Sequence, residues 1–296
     1  MHPPTVDFYR RLRRLRRMLI LLCCLGLASP LAASPLLIEL RGEPAPGALL
    51  IGRTGADVSV QLDGRPLEVD SDGYFLFGFD RDASGEAELL LQRGQQRQQH
   101  TVVLQPRQWQ MQRIKGVPAR TVTPPPEALT RIRNEAALVR AARQQRSALT
   151  AFRQQFVWPA SGRISGVYGS QRVYNGEPGR PHFGVDIAAP TGSPVIAPAA
   201  GIVSLVHADM FYSGGTLIID HGLGLSSTFI HLHQVLVEQG QQVEQGEVIA
   251  EIGASGRATG PHLDWRLNWY QMRLDPQWFI GGTTARAVQA GTHPAP

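Results

Sequence analysis

Gly201-Ile-Val-Ser-Leu-Val206, Thr216-Leu-Ile-Ile-Asp220, Ser227-Thr-Phe-Ile-His-Leu-His233 and Glu247-Val-Ile-Ala-Glu-Ile252 are short, β-branched runs separated by glycine-containing stretches. Pro194-Val-Ile-Ala-Pro198 begins the series in the same style, and no segment of helical period and comparable length interrupts it. Such runs predict an antiparallel sheet, one face on a core and the other lining an open groove. Residues 157–282 are therefore expected to form one sheet domain.

Upstream, Ala48-Leu-Leu-Ile-Gly-Arg53, Val58-Ser-Val-Gln-Leu62, Gly73-Tyr-Phe-Leu-Phe-Gly-Phe79 and Ala87-Glu-Leu-Leu-Leu91 alternate with turn signals at Asp63-Gly64 and Asp72-Gly73. This spacing predicts a small β-sandwich, Ig-like, over residues 35–115. It holds no cluster of His, Asp or Ser that suggests chemistry, so a spacer or docking role is expected. Thr121 to Pro126 ends in three prolines and reads as a stiff linker. Leu129, Ile132, Ala136, Val139, Leu149, Phe152 and Phe156 then recur mostly at spacings of three and four, predicting an amphipathic helix that packs one face on a neighbouring domain. Residues 116–156 are thus linker plus helix, and 283–296 a flexible tail. The fold class is mainly β: an N-terminal sandwich, a linking helix and a C-terminal antiparallel sheet with an open groove.

The first 34 residues carry Arg10, Arg11, Arg13, Arg14, Arg16 and Arg17, then the apolar run Met18 to Ala28 and the small residues Ala32-Ala33-Ser34. That is the order of a secretory signal, cleaved after Ala33 or Ser34, and the apolar run is shorter than the roughly 20 residues of a membrane anchor. Export follows as an expectation, with no stable membrane span after processing. The formal charge of +5 comes from 29 basic against 24 acidic residues, and this segment holds six of the former and one of the latter. The remainder balances, which removes the case for a nucleic-acid partner. Cys23 and Cys24 lie in the same segment, so no disulfide framework or thiol nucleophile is expected, and Leu22 disfavours lipid attachment.

Within the groove domain stand His182-Phe-Gly-Val-Asp186, His231-Leu-His233 and Gly260-Pro-His262-Leu-Asp264. Residues two apart on a strand share a face, so His262 and Asp264 are expected to point into one groove, a metal ligand beside a proton-transfer group. His233 is expected on the face of His231, an alternative ligand should Asp264 not reach the metal. His100, His207 and His221 are read as packing residues. The loops Tyr168 to Gly179 and Gly253 to Gly260 are expected to line the cleft.

From about Trp158 to Asp275 these motifs, with Gly240-Gln-Gln-Val-Glu-Gln-Gly246 and Thr259-Gly-Pro-His-Leu263 in order, resemble the catalytic domain of the M23 (LytM/lysostaphin-type) zinc metallopeptidases. The resemblance implies a peptidoglycan endopeptidase in which His182 and Asp186 bind Zn²⁺ and His231 and His262 assist attack of a metal-activated water on the scissile carbonyl. The family's third ligand is a histidine, and here that position is Asp264, a legitimate zinc ligand. Two carboxylates and a neutral histidine would cancel the ion's formal charge, predicting a less acidifying centre more tolerant of other divalent metals. The implied partners are peptide stems of peptidoglycan and, for the alternative of a non-catalytic LytM-like regulator, a cell-wall amidase or divisome proteins. The Gly240 turn also has the rhythm of biotinyl and lipoyl hairpins, but Lys115, the chain's only lysine, lies far from it.

Overall fold

In the computed structural model, which describes residues 35–117 and 123–280, seven strands come first: β1 (Leu37–Arg41), β2 (Leu49–Thr54), β3 (Ser59–Leu62), β4 (Arg65–Leu67), β5 (Tyr74–Gly78), β6 (Glu86–Arg93) and β7 (Gln96–Val103). They make two antiparallel sheets, β1-β2-β5 and β4-β3-β6-β7. Alternation along the strands turns Leu50, Phe75, Phe77, Val60, Leu89 and Leu91 into the space between the sheets. Gly52 is required there, because a Cβ would strike the Phe75 ring at 2.0 Å.

The opposite face of β1-β2-β5 is not solvated. Leu49 and Leu76 join the core of the following domain, so β5 serves two cores through alternate residues. The described residues from Leu36 onward form one compact unit.

After the sandwich, β8 (Met111–Ile114) leaves it and runs parallel to a later strand. The single α-helix among the described residues, α1 (Ala128–Arg143), is shorter than the periodicity suggests. Phe152 lies in a separate 3₁₀ turn, Ala151–Arg153, and Phe156 follows it; both are buried in the second core. The helix itself packs Ala142 and Val139 against Leu205, Met210 and Ile218, a different cluster. Its anchoring is largely polar: Glu135 accepts from the Phe211 N–H at 2.8 Å, and Arg131 bridges Glu135 and Asp209.

The rest is strand: β9 (Arg163–Gly166), β10 (Gln171–Tyr174), β11 (Glu177–Pro178), β12 (Val185–Ala188), β13 (Pro194–Ile196), β14 (Gly201–Met210), β15 (Gly214–Gly222), β16 (Leu225–Val235), β17 (Gln242–Val243), β18 (Val248–Ile252), β19 (His262–Trp269) and β20 (Met272–Leu274). The main sheet has the order β17-β14-β15-β16-β19-β12-β9, antiparallel throughout, with β13, β18 and β20 attached. Leu217, Ile219, Phe229, Leu263, Trp265 and Leu267 form its buried apolar side. Alternation then leaves Asp264, Arg266 and Asn268 on the other side, where the groove lies. The parallel pairing of β8 with β10 belongs to a small separate sheet, β11-β10-β8. The leader, its two cysteines, the tail from 283 and linker residues 118–122 lie outside the described residues.

Candidate metal centre

Strand register brings the motif residues together. Asp186 on β12 is directly opposite Asp264 on β19, and Ala188 is opposite His262. His182 precedes β12 and points back at both carboxylates, with Nε2 3.0 Å from Asp186 Oδ1 and 3.3 Å from Asp264 Oδ2. Two glycines make room: a Cβ on Gly166 would meet Asp186 Oδ2 at 2.2 Å, and one on Gly184 would meet Asp264 Oδ1 at 2.3 Å.

His231 arrives by a different device. Strict alternation from Phe229 would point it into the core. Instead, β16 carries an extra residue against β15 between Phe229 and Leu232, and His231 has φ of +67°. This bulge turns its ring to face His262, with ring centroids 4.8 Å apart. His233, two residues on, is exposed to solvent and stands outside the ligand cluster.

The three rings present the same atom to the centre. Nδ1 of His182 faces the Val167 carbonyl at 3.3 Å, that of His231 the Ser255 carbonyl at 2.8 Å, and that of His262 the Gly260 carbonyl at 2.8 Å. A carbonyl only accepts, so Nδ1 carries the proton and Nε2 keeps its lone pair. Burial first, and neighbouring His262 second, push His231 down to about 4, so it stays neutral near neutral pH.

The donor set fits a divalent metal. One ligand atom from each of His182, Asp186 and Asp264 lies within 4.8 Å of the others. His182 Nε2 and Asp186 Oδ1 are buried and lack hydrogen-bond partners although they face each other. Ligands at roughly 2.1 Å in tetrahedral array are about 3.4 Å apart, close to the observed separations. Burial disfavours a charged His182, yet Asp186 and Asp264 outweigh it and raise its pKa: the centre attracts positive charge.

Two residues that the motifs do not reveal complete the site. Arg172 on β10 pairs with Asp186 Oδ2 and is steadied by Gln112 of β8, which accepts from its Nε at 3.1 Å. Arg266 holds Asp264 through two hydrogen bonds. Burial opposes ionisation of Asp264, but Arg266 and His182 hold its carboxyl well below the usual range; His182 and Arg172 likewise lower Asp186 against burial and the neighbouring Asp264. Each carboxylate has its own guanidinium, a pair of positive charges beyond the three ligand residues that the expectation of a charge-cancelled centre did not count.

The two cleft loops meet beside this centre. Arg257 of the second stacks on Tyr174 of the first, at 4.7 Å, and on Tyr212 at 4.8 Å. His221 is packed as expected, fully buried with Nδ1 to the Ala200 carbonyl and Nε2 to Ser227 Oγ. His100 is half-buried in the sandwich and His207 lies on β14; neither joins the cluster.

Residues 180–276 match the model of peptidase family M23. Peptidoglycan DD-endopeptidase ShyB of Vibrio cholerae is 41% identical over 87 residues, 29% of this chain and 20% of its own length. DD-carboxypeptidase/endopeptidase Mpg of Neisseria meningitidis is 39% identical over 98 residues, 33% of this chain and 21% of its own. The chain thus matches about a fifth of the length of these curated relatives. A solved structure described as a putative peptidase M23 from Pseudomonas aeruginosa is similar over 81% of this chain and 96% of its own, with 30% identity and a TM-score of 0.64. The His182, Asp186, His231, His262 and Asp264 positions all fall inside the stretch matched by the family model, and the likeness to the solved relative runs far beyond it: the chain belongs to peptidase family M23.

Proposed function

We propose that this chain is an exported zinc metalloendopeptidase that hydrolyses peptide cross-links of bacterial peptidoglycan. The observation that carries the reading is the buried His182, Asp186 and Asp264 cluster with the His231 and His262 rings beside it. The DD-endopeptidase names of the relatives, carried over to this chain, make the D-alanyl cross-link to diaminopimelate the expected bond. Leader-like residues 1–34 support export to the periplasm; among the described residues no helix is long and apolar enough to cross a membrane.

His182, Asp186 and Asp264 would hold the zinc, which when bound supplies Lewis acidity to polarise the scissile carbonyl and acidify water. The chain's own residues do the rest. His231 and His262, each oriented by a backbone carbonyl, act through Nε2: one accepts the proton of the attacking water there and then hands that proton to the leaving amine, while the other stabilises the tetrahedral oxyanion when it carries a proton at Nε2. Arg172 and Arg266 keep the ligand carboxylates ionised and fixed in orientation.

The test is digestion of purified sacculi by the full-length chain, followed by chromatography of the muropeptides. Cross-linked dimers should fall and free amines rise, and chelator or His262→Ala should abolish both. Unchanged dimers, with release of glycan only when an amidase is added, would favour the regulator instead.

A further inference from the structure

Asp264 and Arg266 lie two residues apart on β19, so both side chains leave the same face of the strand. Arg266 grips both oxygens in a fork, Nε to Oδ1 at 3.0 Å and Nη2 to Oδ2 at 2.7 Å. The carboxylate is almost wholly enclosed, while a quarter of the arginine side chain reaches solvent. One counter-charge satisfies a buried carboxylate, yet Oδ2 also faces His182 Nε2, one of the two unpartnered atoms at the centre. Gly184 leaves room on the Oδ1 side, where a Cβ would strike that oxygen, and so permits this orientation of the carboxylate.

We propose that Asp264 and Arg266 act as one unit, a charge-neutral oxygen ligand. Arg266 is its positioning residue: the fork fixes the carboxylate plane with Oδ2 toward the metal and cancels the carboxylate's charge. The metal then meets a ligand with the same formal charge as an imidazole. A planar, two-point grip of this kind is a property of arginine that lysine lacks.

Either half alone is poor. An imidazole at 264 beside the retained Arg266 leaves a guanidinium unpaired next to a dication. A carboxylate at 264 without Arg266 is free to rotate off the metal. Changing both restores a neutral ligand with no unpaired charge. The two positions are therefore coupled, and the effect of removing Arg266 should change sign with the residue at 264.

This inference rests on the reading of the centre as a metal site, and the experiment separates the two. Zinc affinity is measured by chelator competition on the full-length wild type, Asp264→His, Arg266→Met and the double variant, with circular dichroism to check folding. Each single substitution should weaken zinc by about tenfold to a hundredfold, and the double should return to within about tenfold of wild type. Arg266→Lys, which keeps the charge without the fork, should weaken zinc in the same way. The visible spectrum of the cobalt(II)-loaded protein gives a readout independent of affinity: wild type and double should both show four-coordinate absorption, altered in the singles. If Arg266→Met changes affinity by the same factor in both backgrounds, or Arg266→Lys binds zinc like wild type, the unit does not exist. A folded wild type that holds no zinc overturns the metal reading and this proposal together.

Discussion

At the scale of single residues, His231 shows how far side-chain spacing can be trusted. Its place in the motif marks it, but alternation along β16 would have turned it into the core beside Phe229, and only the bulge with φ of +67° presents it to His262. A bulge depends on how two strands pair, which a single run such as Phe229-Ile-His-Leu-His233 does not display. His233 looked like a neighbour of the centre and is exposed to solvent, outside the ligand cluster. The arginines were hidden differently. Arg172 and Arg266 matter through the carboxylates they grip, and in an arginine-rich sequence nothing local distinguishes them; the spacing of Asp264 and Arg266 on one strand was the available signal. Because His231 faces the centre without belonging to the ligand cluster, His231→Ala should lower kcat by about 10²- to 10⁴-fold while leaving zinc content unchanged. Zinc lost along with activity would instead make it a ligand.

At the scale of elements, strands were more legible than the helix. The short β-branched runs of β14, β15, β16 and β18 carry their own period and turn punctuation. The apolar spacing around α1 joined two unrelated features: a helix that ends at Arg143, and Phe152 and Phe156, which serve the core after the chain has left the helix. Next to Phe156, at 4.9 Å between ring centroids, His221 of β15 closes a buried polar chain in which Trp265 Nε1 donates to Ser227 Oγ, Ser227 donates to His221 Nε2, and His221 Nδ1 donates to the Ala200 carbonyl. Burial pushes this histidine down to about 4, against a backbone hydrogen bond that favours the charged ring. Between the unfolded value near 6.5 and this folded value, the unfolded chain binds a proton that the folded chain does not. The associated stability is therefore fully present above the unfolded pKa and lost as pH falls through this window. Urea unfolding at about pH 7 and about pH 5 should show His221→Gln to be less acid-sensitive than wild type by roughly 2 kcal/mol. Equal acid sensitivity would mean that the ring is charged in the fold.

At the scale of the whole molecule, the sandwich and the groove domain are one structure, because Leu49 and Leu76 of the first sheet belong to the core under the second. The sequence shows two sets of strands but not that one sheet is apolar on both faces, although Tyr74-Phe-Leu-Phe-Gly78 hints at it by lacking alternation. The segment after the sandwich adds a second link. Arg107 and Arg81 stack on Trp109, which packs edge-on against Tyr168, and two residues beyond it β8 pairs with β10 and delivers Gln112 to Arg172 and so to Asp186. The centre is thus braced by the segment that leaves the sandwich, and everything proposed for it depends on its binding a metal. The decisive measurement is elemental analysis of the purified full-length chain after zinc exposure and desalting, beside Asp186→Ala. One zinc per chain in wild type, and less than about a tenth of that in the variant, is the expected result for a buried three-residue site. A folded wild type without zinc, or a variant that retains it fully, would contradict the account.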